Sequence, residues 1–176
     1  MADYFEILGI PRGFRVDETA LESRYRELSR LLHPDRHAAR GAAERRLALE
    51  KMIEVNDAYR VLRDPLRRAA YLLSLRGYEL GESDGSKYLP PNFLMEVMET
   101  REAFDEARAA RDVERVGRLK ERTQKERAEA LEALDAAFEK GDDEAAAAQV
   151  SIMRYLDRFL SDIRAWEDGL FEEEHG

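Results

Sequence analysis

Apolar residues recur at helical spacing in two long segments of the N-terminal half. The first segment, residues 18–32, has its apolar side chains at Leu21, Tyr25, Leu28 and Leu32. The second segment, residues 43–63, has them at Ala48, Met52, Val55, Tyr59 and Leu62. Intervals of three and four residues place each set on one face of an α-helix. Two such helices joined by a short loop are expected to pack antiparallel.

Short helices are predicted on both sides of this pair. Asp3 is a suitable N-cap for a helix over residues 4–8, which Gly9 ends. The Asp-Pro pair at 64–65 predicts the start of another short helix, over residues 66–75, because proline is well suited to the first helical position. Its inward-facing residues are predicted to be Ala69, Leu72 and Leu73.

Three longer helices are predicted in the C-terminal half. The first covers residues 93–111 with Asn92 as N-cap, and the second covers residues 113–139. The third begins at Asp142 as N-cap and reaches about residue 170. Its apolar stripe is the most regular in the chain and consists of Ile152, Leu156, Phe159, Ile163, Trp166 and Leu170.

The connections between these three helices are short, which favours an up-down-up three-helix bundle. The stripe of the middle helix is weaker than the others, since Thr123 and Arg127 interrupt it. A plain helical hairpin or a dimerising coiled coil is the alternative arrangement. The fold class predicted for the whole chain is therefore all-α.

The first helix of the bundle has more apolar side chains than one face can bury. At about 100° per residue, Phe93, Val97 and Phe104 share a face. Leu94 and Met98 lie roughly 100–140° away from Phe93, and Met95 lies about 200° away. These three surplus residues are covered by the linker or the N-terminal domain, or they form a protein-binding surface rimmed by charge. Tyr155 could border the same surface from the third helix.

Charge and composition divide the chain into two parts. Residues 1–77 have 15 Lys+Arg and 12 Asp+Glu, whereas residues 78–176 have 14 Lys+Arg and 26 Asp+Glu. Gly, Ser and Pro concentrate between the two parts. We therefore predict an N-terminal domain at 1–76, a linker at 77–91 and a C-terminal domain at 92–176. The formal net charge of −9 makes nucleic acid an unfavourable ligand.

The chain contains no cysteine and three histidines. Disulfides, a catalytic thiol and thiolate metal ligands are thereby excluded. There is no long apolar run and no signal-peptide pattern, so we expect a cytoplasmic protein with no membrane contact. No nucleophile, base and metal ligands cluster along the sequence. We expect no enzymatic activity, no cofactor and no metal.

One charged corner is predicted after the second helix. Pro34 removes a backbone donor and disfavours helical geometry in the residue before it, so the helix should end near His33. Asp35 and Arg36 follow at once. The arginines that precede this corner lie off the apolar stripe, face solvent and are predicted to form a positive patch without a matching acidic run: Arg24, Arg26 and Arg30.

The first 76 residues resemble a J-domain. The matching segments are Asp-Tyr-Phe-Glu-Ile-Leu-Gly at 3–9, the basic second helix, His-Pro-Asp-Arg at 33–36 and Asn-Asp-Ala-Tyr-Arg-Val-Leu-Arg-Asp-Pro at 56–65. The resemblance implies stimulation of ATP hydrolysis by a DnaK-type chaperone. The residues it assigns to chaperone binding are Arg24, Arg26, Arg30, His33, Pro34, Asp35 and Arg36.

From residue 67 onwards the chain also resembles the HscB family, the J-type co-chaperones of iron–sulfur cluster biogenesis, and this resemblance covers nearly the whole chain. The matching segments are Arg-Arg-Ala-Ala-Tyr-Leu-Leu-Ser-Leu-Arg-Gly at 67–77, Phe-Leu-Met-Glu at 93–96, Met-Glu at 98–99, Arg-Glu at 101–102 and Tyr-Leu-Asp at 155–157. The resemblance implies that the C-terminal domain binds an IscU-type scaffold protein and presents it to an HscA-type chaperone. The implied scaffold-binding residues are Leu94, Met95, Met98, Glu99, Glu102 and Tyr155.

Two positions depart from the family pattern, because Met98 and Tyr155 stand where bacterial relatives often have Leu and Phe. Both changes keep contact area. The lack of cysteine indicates the bacterial form, without an N-terminal zinc module. The alternatives are a J-domain co-chaperone for a different client, or a helical scaffold protein with no chaperone partner.

Overall fold

A computed structural model of the protein describes residues 2–33, 41–80 and 85–175, with the side chains of 85–86 and 173–175 excepted. Over these ranges the regular structure is entirely helical, which confirms the predicted all-α class. The chain divides into two compact units, Met1–Leu75 and Arg76–Gly176.

The first unit contains four helices, α1 (Tyr4–Leu8), α2 (Glu18–Leu31), α3 (Ala42–Leu62) and α4 (Pro65–Leu75). The rings of Tyr25 in α2 and Tyr59 in α3 stack with centroids 4.0 Å apart. The start of α2, at Glu18 and Leu21, lies beside Arg63 at the end of α3, whereas the end of α2, at Ser29, lies beside the earlier residue Met52. The two helices are therefore antiparallel, as predicted. The core between the four helices is made by Phe5, Leu8, Leu21, Val55, Ala58, Leu62, Ala69, Leu72 and Leu73.

The start of α1 is fixed by the side chain that the sequence marks as its cap. The carboxylate of Asp3 accepts hydrogen bonds from the backbone N–H groups of Phe5 at 2.8 Å and Glu6 at 3.0 Å. The Glu6 carboxylate accepts in turn from the N–H of Asp3 at 3.0 Å, which completes a capping box. Asp3 is only 8% exposed and also pairs with Arg12.

The charge of Asp3 should make the first unit sensitive to acid. Burial alone would raise the pKa of Asp3, but the hydrogen bonds from Glu6 and Phe5 and the charge of Arg12 outweigh it and lower the pKa. A carboxylate with a depressed pKa in the folded state contributes stability above its unfolded pKa of about 3.9, and this contribution is lost as the pH falls through the folded value.

We therefore expect Asp3→Asn, which can still cap α1, to slow the loss of stability below about pH 4. The measurement is urea denaturation of both proteins between pH 7 and pH 2.5. The stability difference between them should be constant at neutral pH and shrink in acid. A difference that does not vary with pH would mean that the charge of Asp3 contributes nothing.

The end of α1 requires glycine. Gly9 has φ +64°, a left-handed conformation that costs other residues about 1–2 kcal/mol. A Cβ at Gly9 would also lie 2.9 Å from Nη2 of Arg24, whose Nε donates to the carbonyl of Leu8 at 3.3 Å. Arg24 therefore closes over the end of α1, and there is no room for a side chain at Gly9 unless Arg24 moves.

We expect Gly9→Ala to destabilise the first unit by about 1–2 kcal/mol. The matched control is Gly117→Ala in the second unit, within the long helix α6 (Val113–Lys140), where a Cβ would meet nothing within 4 Å. That change should stabilise its own helix by up to about 1 kcal/mol, because alanine is the better helix former. Hydrogen exchange of the amides in the helix that holds each substitution would measure both effects, and equal effects at the two glycines would contradict the strain argument.

Arg68 is buried in α4, which sequence reasoning did not predict. Its Nη1 donates to the carbonyl of Leu62 at 2.5 Å, and its guanidinium lies 5.4 Å from the ring centre of Phe14. Burial lowers its pKa, while the charges of Glu18 and Asp64 act in the opposite direction. Within the family-like segment 67–77, Arg68 thus ties the end of α3 to the loop before α2.

The second unit contains a short 3₁₀ helix (Gly85–Tyr88) and three long helices, α5 (Pro91–Ala109), α6 (Val113–Lys140) and α7 (Asp143–His175). Asp112 and Asp142 cap α6 and α7 through hydrogen bonds to the N–H groups of Arg115 and Ala145, both at 2.9 Å. The three helices form the predicted up-down-up bundle.

The predicted cap of α5 is wrong. The helix begins at Pro91, Pro90 occupies the N-cap position, and Asn92 lies inside the first turn. Proline has no N–H to satisfy and a fixed φ, so Pro91 starts the helix without a side-chain cap. The end of α7 also differs, because the helix continues past residue 170 to His175.

The bundle core combines predicted and unpredicted positions. Phe104, Val116, Phe159 and Ile163 are fully or almost fully buried together. Ile152 and Trp166 from the predicted stripe of α7 are only half-buried, and the small residues of the first turns of α7 provide much of the remaining core. Thr123, which interrupts the stripe of α6, is buried as well. Its hydroxyl donates to the Leu119 carbonyl at 2.8 Å, so its burial leaves no unpaired donor.

Candidate protein-binding surfaces

The arginines of α2 are exposed, as predicted, but two of them are paired. Arg24 contacts Glu27 at 2.6 Å, and Arg26 contacts Glu22 at 2.5 Å. The expectation of a positive patch without matching acidic residues is therefore wrong, since helical spacing places these glutamates one turn away. Arg24 also donates a hydrogen bond to the Leu8 carbonyl at the end of α1. The arginine face of α2 therefore has less uncompensated positive charge than the sequence suggests.

The charged corner follows the end of α2. The helix ends at Leu31, close to the predicted stop, and His33 is exposed. An open groove at this end of the helix is lined by Ser29, Arg30, His33 and Met52. The three other residues assigned to this corner, Pro34, Asp35 and Arg36, lie outside the described residues.

The surplus apolar residues of α5 are exposed. Leu94 is 42% exposed, Met95 67% and Met98 72%, whereas Phe104 and Ala107 on the opposite face of the helix are buried. This confirms that the residues predicted to be surplus lie on a different face of α5 from the residues that the bundle buries. We call the exposed residues, together with the exposed Glu99 and Glu102, the Leu/Met surface.

The acidic members of the Leu/Met surface are not held in ion pairs within the part of the chain that the structure describes. Neither Glu99 nor Glu102 forms an ion pair with another described residue. By contrast, several basic residues elsewhere in the bundle are held by carboxylates of a neighbouring helix, as Arg115 is by Glu106 at 2.8 Å and Lys120 by Glu167 at 2.6 Å. The Leu/Met surface therefore combines accessible apolar area with uncompensated negative charge.

Tyr155 of α7 packs at the side of α5. Its ring meets Phe93 edge-on at 5.7 Å, and its hydroxyl accepts a hydrogen bond from Nε of Arg101 at 3.2 Å. Nη1 of Arg101 pairs with Asp162 at 2.7 Å. Burial alone would lower the pKa of Arg101, but its hydrogen bonds to Tyr155 and Asp162 raise it. Since Phe93 precedes Leu94 and Arg101 lies one turn after Met98, Tyr155 borders the Leu/Met surface.

Two residues of this arrangement were not predicted to take part, Arg101 and Asp162. At about 100° per residue, Arg101 falls at the border of the surface, and it lies in a segment that resembles the family, but neither observation gives it a role. The available signal for Asp162 is its spacing of seven residues from Tyr155, which puts both on one face of α7. That spacing cannot identify the helix that packs against this face.

Within the described residues, no group of three His, Cys, Asp or Glu side chains is placed to hold a metal ion. None of the helices described is both long enough and apolar enough to span a membrane.

The arrangement of the first unit is that of a J-domain protein, and the DnaJ domain family profile matches residues 3–71. The profile described as the HSCB C-terminal oligomerisation domain matches residues 89–164. A co-chaperone protein HscB homolog from Burkholderia cenocepacia is 40% identical over 162 residues, covering 92% of each chain.

Solved structures agree with these matches. Chaperone HscB from Vibrio cholerae is 33% identical, with a TM-score of 0.81 over 96% of this chain and 99% of that one. The crystal structure of human co-chaperone protein HscB is also 33% identical, with a TM-score of 0.85 over 95% of this chain and 83% of that one. The chain belongs to the HscB family of J-domain co-chaperones.

Proposed function

We propose that this co-chaperone acts in iron–sulfur cluster assembly. It binds an IscU-type scaffold protein through the Leu/Met surface, delivers it to a DnaK/HscA-type chaperone and stimulates that chaperone's ATPase. The observation that supports this most directly is the exposure of Leu94, Met95 and Met98 on a helix whose opposite face is already buried. Large exposed apolar side chains grouped on one face are typical of protein-binding surfaces.

The composition of the Leu/Met surface indicates what kind of partner fits it. Methionine side chains are flexible and polarisable, so they adapt to an apolar partner surface. Glu99 and Glu102 favour basic residues at the rim of that partner and disfavour acidic ones. The bound scaffold should therefore present an apolar patch bordered by Lys or Arg. Tyr155 adds a rigid aromatic side chain at the border.

The chaperone is engaged by the other end of the chain. Arg26 and Arg30 of α2 steer the encounter with an acidic chaperone surface, and Arg24 contributes less because Glu27 and Leu8 already hold it. Asp35 pairs with an arginine of the chaperone only in the state that hydrolyses ATP. Pro34 restricts the backbone next to that carboxylate, and His33 positions the corner without acid–base chemistry.

The two tasks belong to different parts of the chain. We assign chaperone stimulation to residues 1–76 and scaffold binding to residues 92–176, with residues 77–91 as the connection. The protein contributes no catalytic group of its own in this proposal, because ATP is hydrolysed by the partner.

The test combines binding and kinetics. Calorimetric titration should detect complexes of the full chain with an IscU-type scaffold and with an HscA-type chaperone. Single-turnover ATP hydrolysis by the chaperone should be faster with this chain, and faster again when scaffold is added. Stimulation without any scaffold binding would indicate a J-domain co-chaperone for another client. If the chain neither stimulates the chaperone nor binds the scaffold, the proposal as a whole is refuted.

A further inference from the structure

Arg101 is held by α7 through several contacts at once. Its guanidinium lies 5.7 Å from the ring centre of Tyr155 and 5.3 Å from that of Phe159. Its Nε donates to the Tyr155 hydroxyl at 3.2 Å, and its Nη1 pairs with Asp162 at 2.7 Å. A planar guanidinium can stack on rings and donate in two directions at the same time, which a lysine ammonium cannot reproduce.

These contacts fix Tyr155 from several sides. The ring packs edge-on against Phe93 at 5.7 Å and stacks with Phe159 at 6.5 Å, while Arg101 takes the hydroxyl. Tyr155 is half-buried, so part of it remains available to a partner. An aromatic side chain that is already ordered before binding loses less conformational entropy when the complex forms.

We propose that Arg101, anchored by Asp162, is a positioning residue for scaffold binding: it holds Tyr155 at the border of the Leu/Met surface in the orientation that the scaffold meets. This inference rests on the proposed function. It differs from a direct contact of Arg101 with the scaffold, because the effect passes through the Tyr155 ring and hydroxyl.

The binding test is a double-mutant cycle measured by calorimetry with an IscU-type scaffold. Arg101→Lys keeps the positive charge but loses the planar guanidinium that contacts Tyr155 and Asp162 together. It should weaken scaffold binding roughly 3–10-fold. In a Tyr155→Ala background there is no ring to position, so the same change should weaken binding less than about twofold. Equal effects in both backgrounds would overturn the proposal, as would no effect in either.

Arg127→Lys is the matched control. Arg127 lies on α6 and also makes an ion pair across the bundle, with Asp157 of α7. It should leave scaffold affinity within about twofold while affecting bundle stability as Arg101→Lys does. If Arg127→Lys weakens binding as much as Arg101→Lys, the effect is general destabilisation and the positioning role is wrong.

A second measurement needs no scaffold. In the free protein, NMR relaxation of ring-labelled tyrosine should show the Tyr155 ring less ordered in Arg101→Lys than in the unmodified chain and unchanged in Arg127→Lys. Unchanged order in both would overturn the positioning role. If the unmodified chain does not bind the scaffold, the proposed function and the binding role of Arg101 both fall, whereas the NMR result still decides whether Arg101 orders Tyr155.

Discussion

Leu94→Ala combined with Met98→Ala is expected to weaken scaffold binding by about a hundredfold to a thousandfold, equivalent to about 3–4 kcal/mol. The two side chains lie one helical turn apart on α5 and are 42% and 72% exposed, so both can be desolvated by a partner. Truncation removes two of the three large apolar side chains of the Leu/Met surface and leaves the partner's matching groups uncovered. Calorimetric titration with an IscU-type scaffold measures the effect.

The fold should tolerate these two changes, because neither side chain belongs to the bundle core. Val113→Ala is the control within the same unit, since Val113 is 61% exposed but lies at the start of α6. It should leave the affinity unchanged. Stimulation of the chaperone in the absence of scaffold should persist in the double variant. Full scaffold affinity in the double variant would exclude the Leu/Met surface as the binding site.

Asp35→Asn is expected to lower the stimulated rate of ATP hydrolysis roughly thirtyfold or more. Most of the stimulation would then be lost. The proposed carboxylate–arginine pair forms only in the hydrolysing state, and removing one partner of a close charge pair at an interface costs about 2–5 kcal/mol. His33→Gln should reduce stimulation as well, by disturbing the same corner. Single-turnover hydrolysis by an HscA-type chaperone gives the rates directly.

The control for the charge change is Asp57→Asn on α3. Asp57 is paired with Arg60 on its own helix at 3.0 Å, so its neutralisation should affect neither the fold nor the stimulation appreciably. Scaffold affinity should be unaffected by Asp35→Asn. The Leu94→Ala, Met98→Ala variant should thus lose scaffold binding and keep stimulation, whereas Asp35→Asn should lose stimulation and keep scaffold binding. If Asp35→Asn stimulates ATP hydrolysis as well as the original chain does, Asp35 has no role in the stimulation.

The helices could be predicted because their signals are local. Asp3, Asp17 and Asp64 lie directly before apolar stripes, and each forms the backbone hydrogen bond expected of a cap. The start of α5 was misplaced because Asn92 and Pro91 are both good helix starters, and their competition is decided by proline geometry.

The candidate surfaces could be predicted only in part. Amphipathic spacing identifies Leu94 and Met98 as surplus, but it does not show that they remain uncovered, which the packing of the whole second unit determines. The spacing of four residues between Glu22 and Arg26 is a local signal for their ion pair. The contacts of Arg101 with Tyr155 and Asp162 join residues 54 and 61 positions apart in the chain, as the sequence numbers show. Such contacts depend on how α5 and α7 pack together.

The single tryptophan of the chain has a practical consequence. Trp166 is half-buried in the core of the second unit, with its ring edge-on to Phe104 at 6.4 Å. Its fluorescence therefore monitors the unfolding of the three-helix bundle and not that of the first unit. Circular dichroism monitors the loss of helix in both units. Comparing the two signals during melting would show, without any label, whether the chaperone-stimulating and scaffold-binding parts unfold together or one before the other.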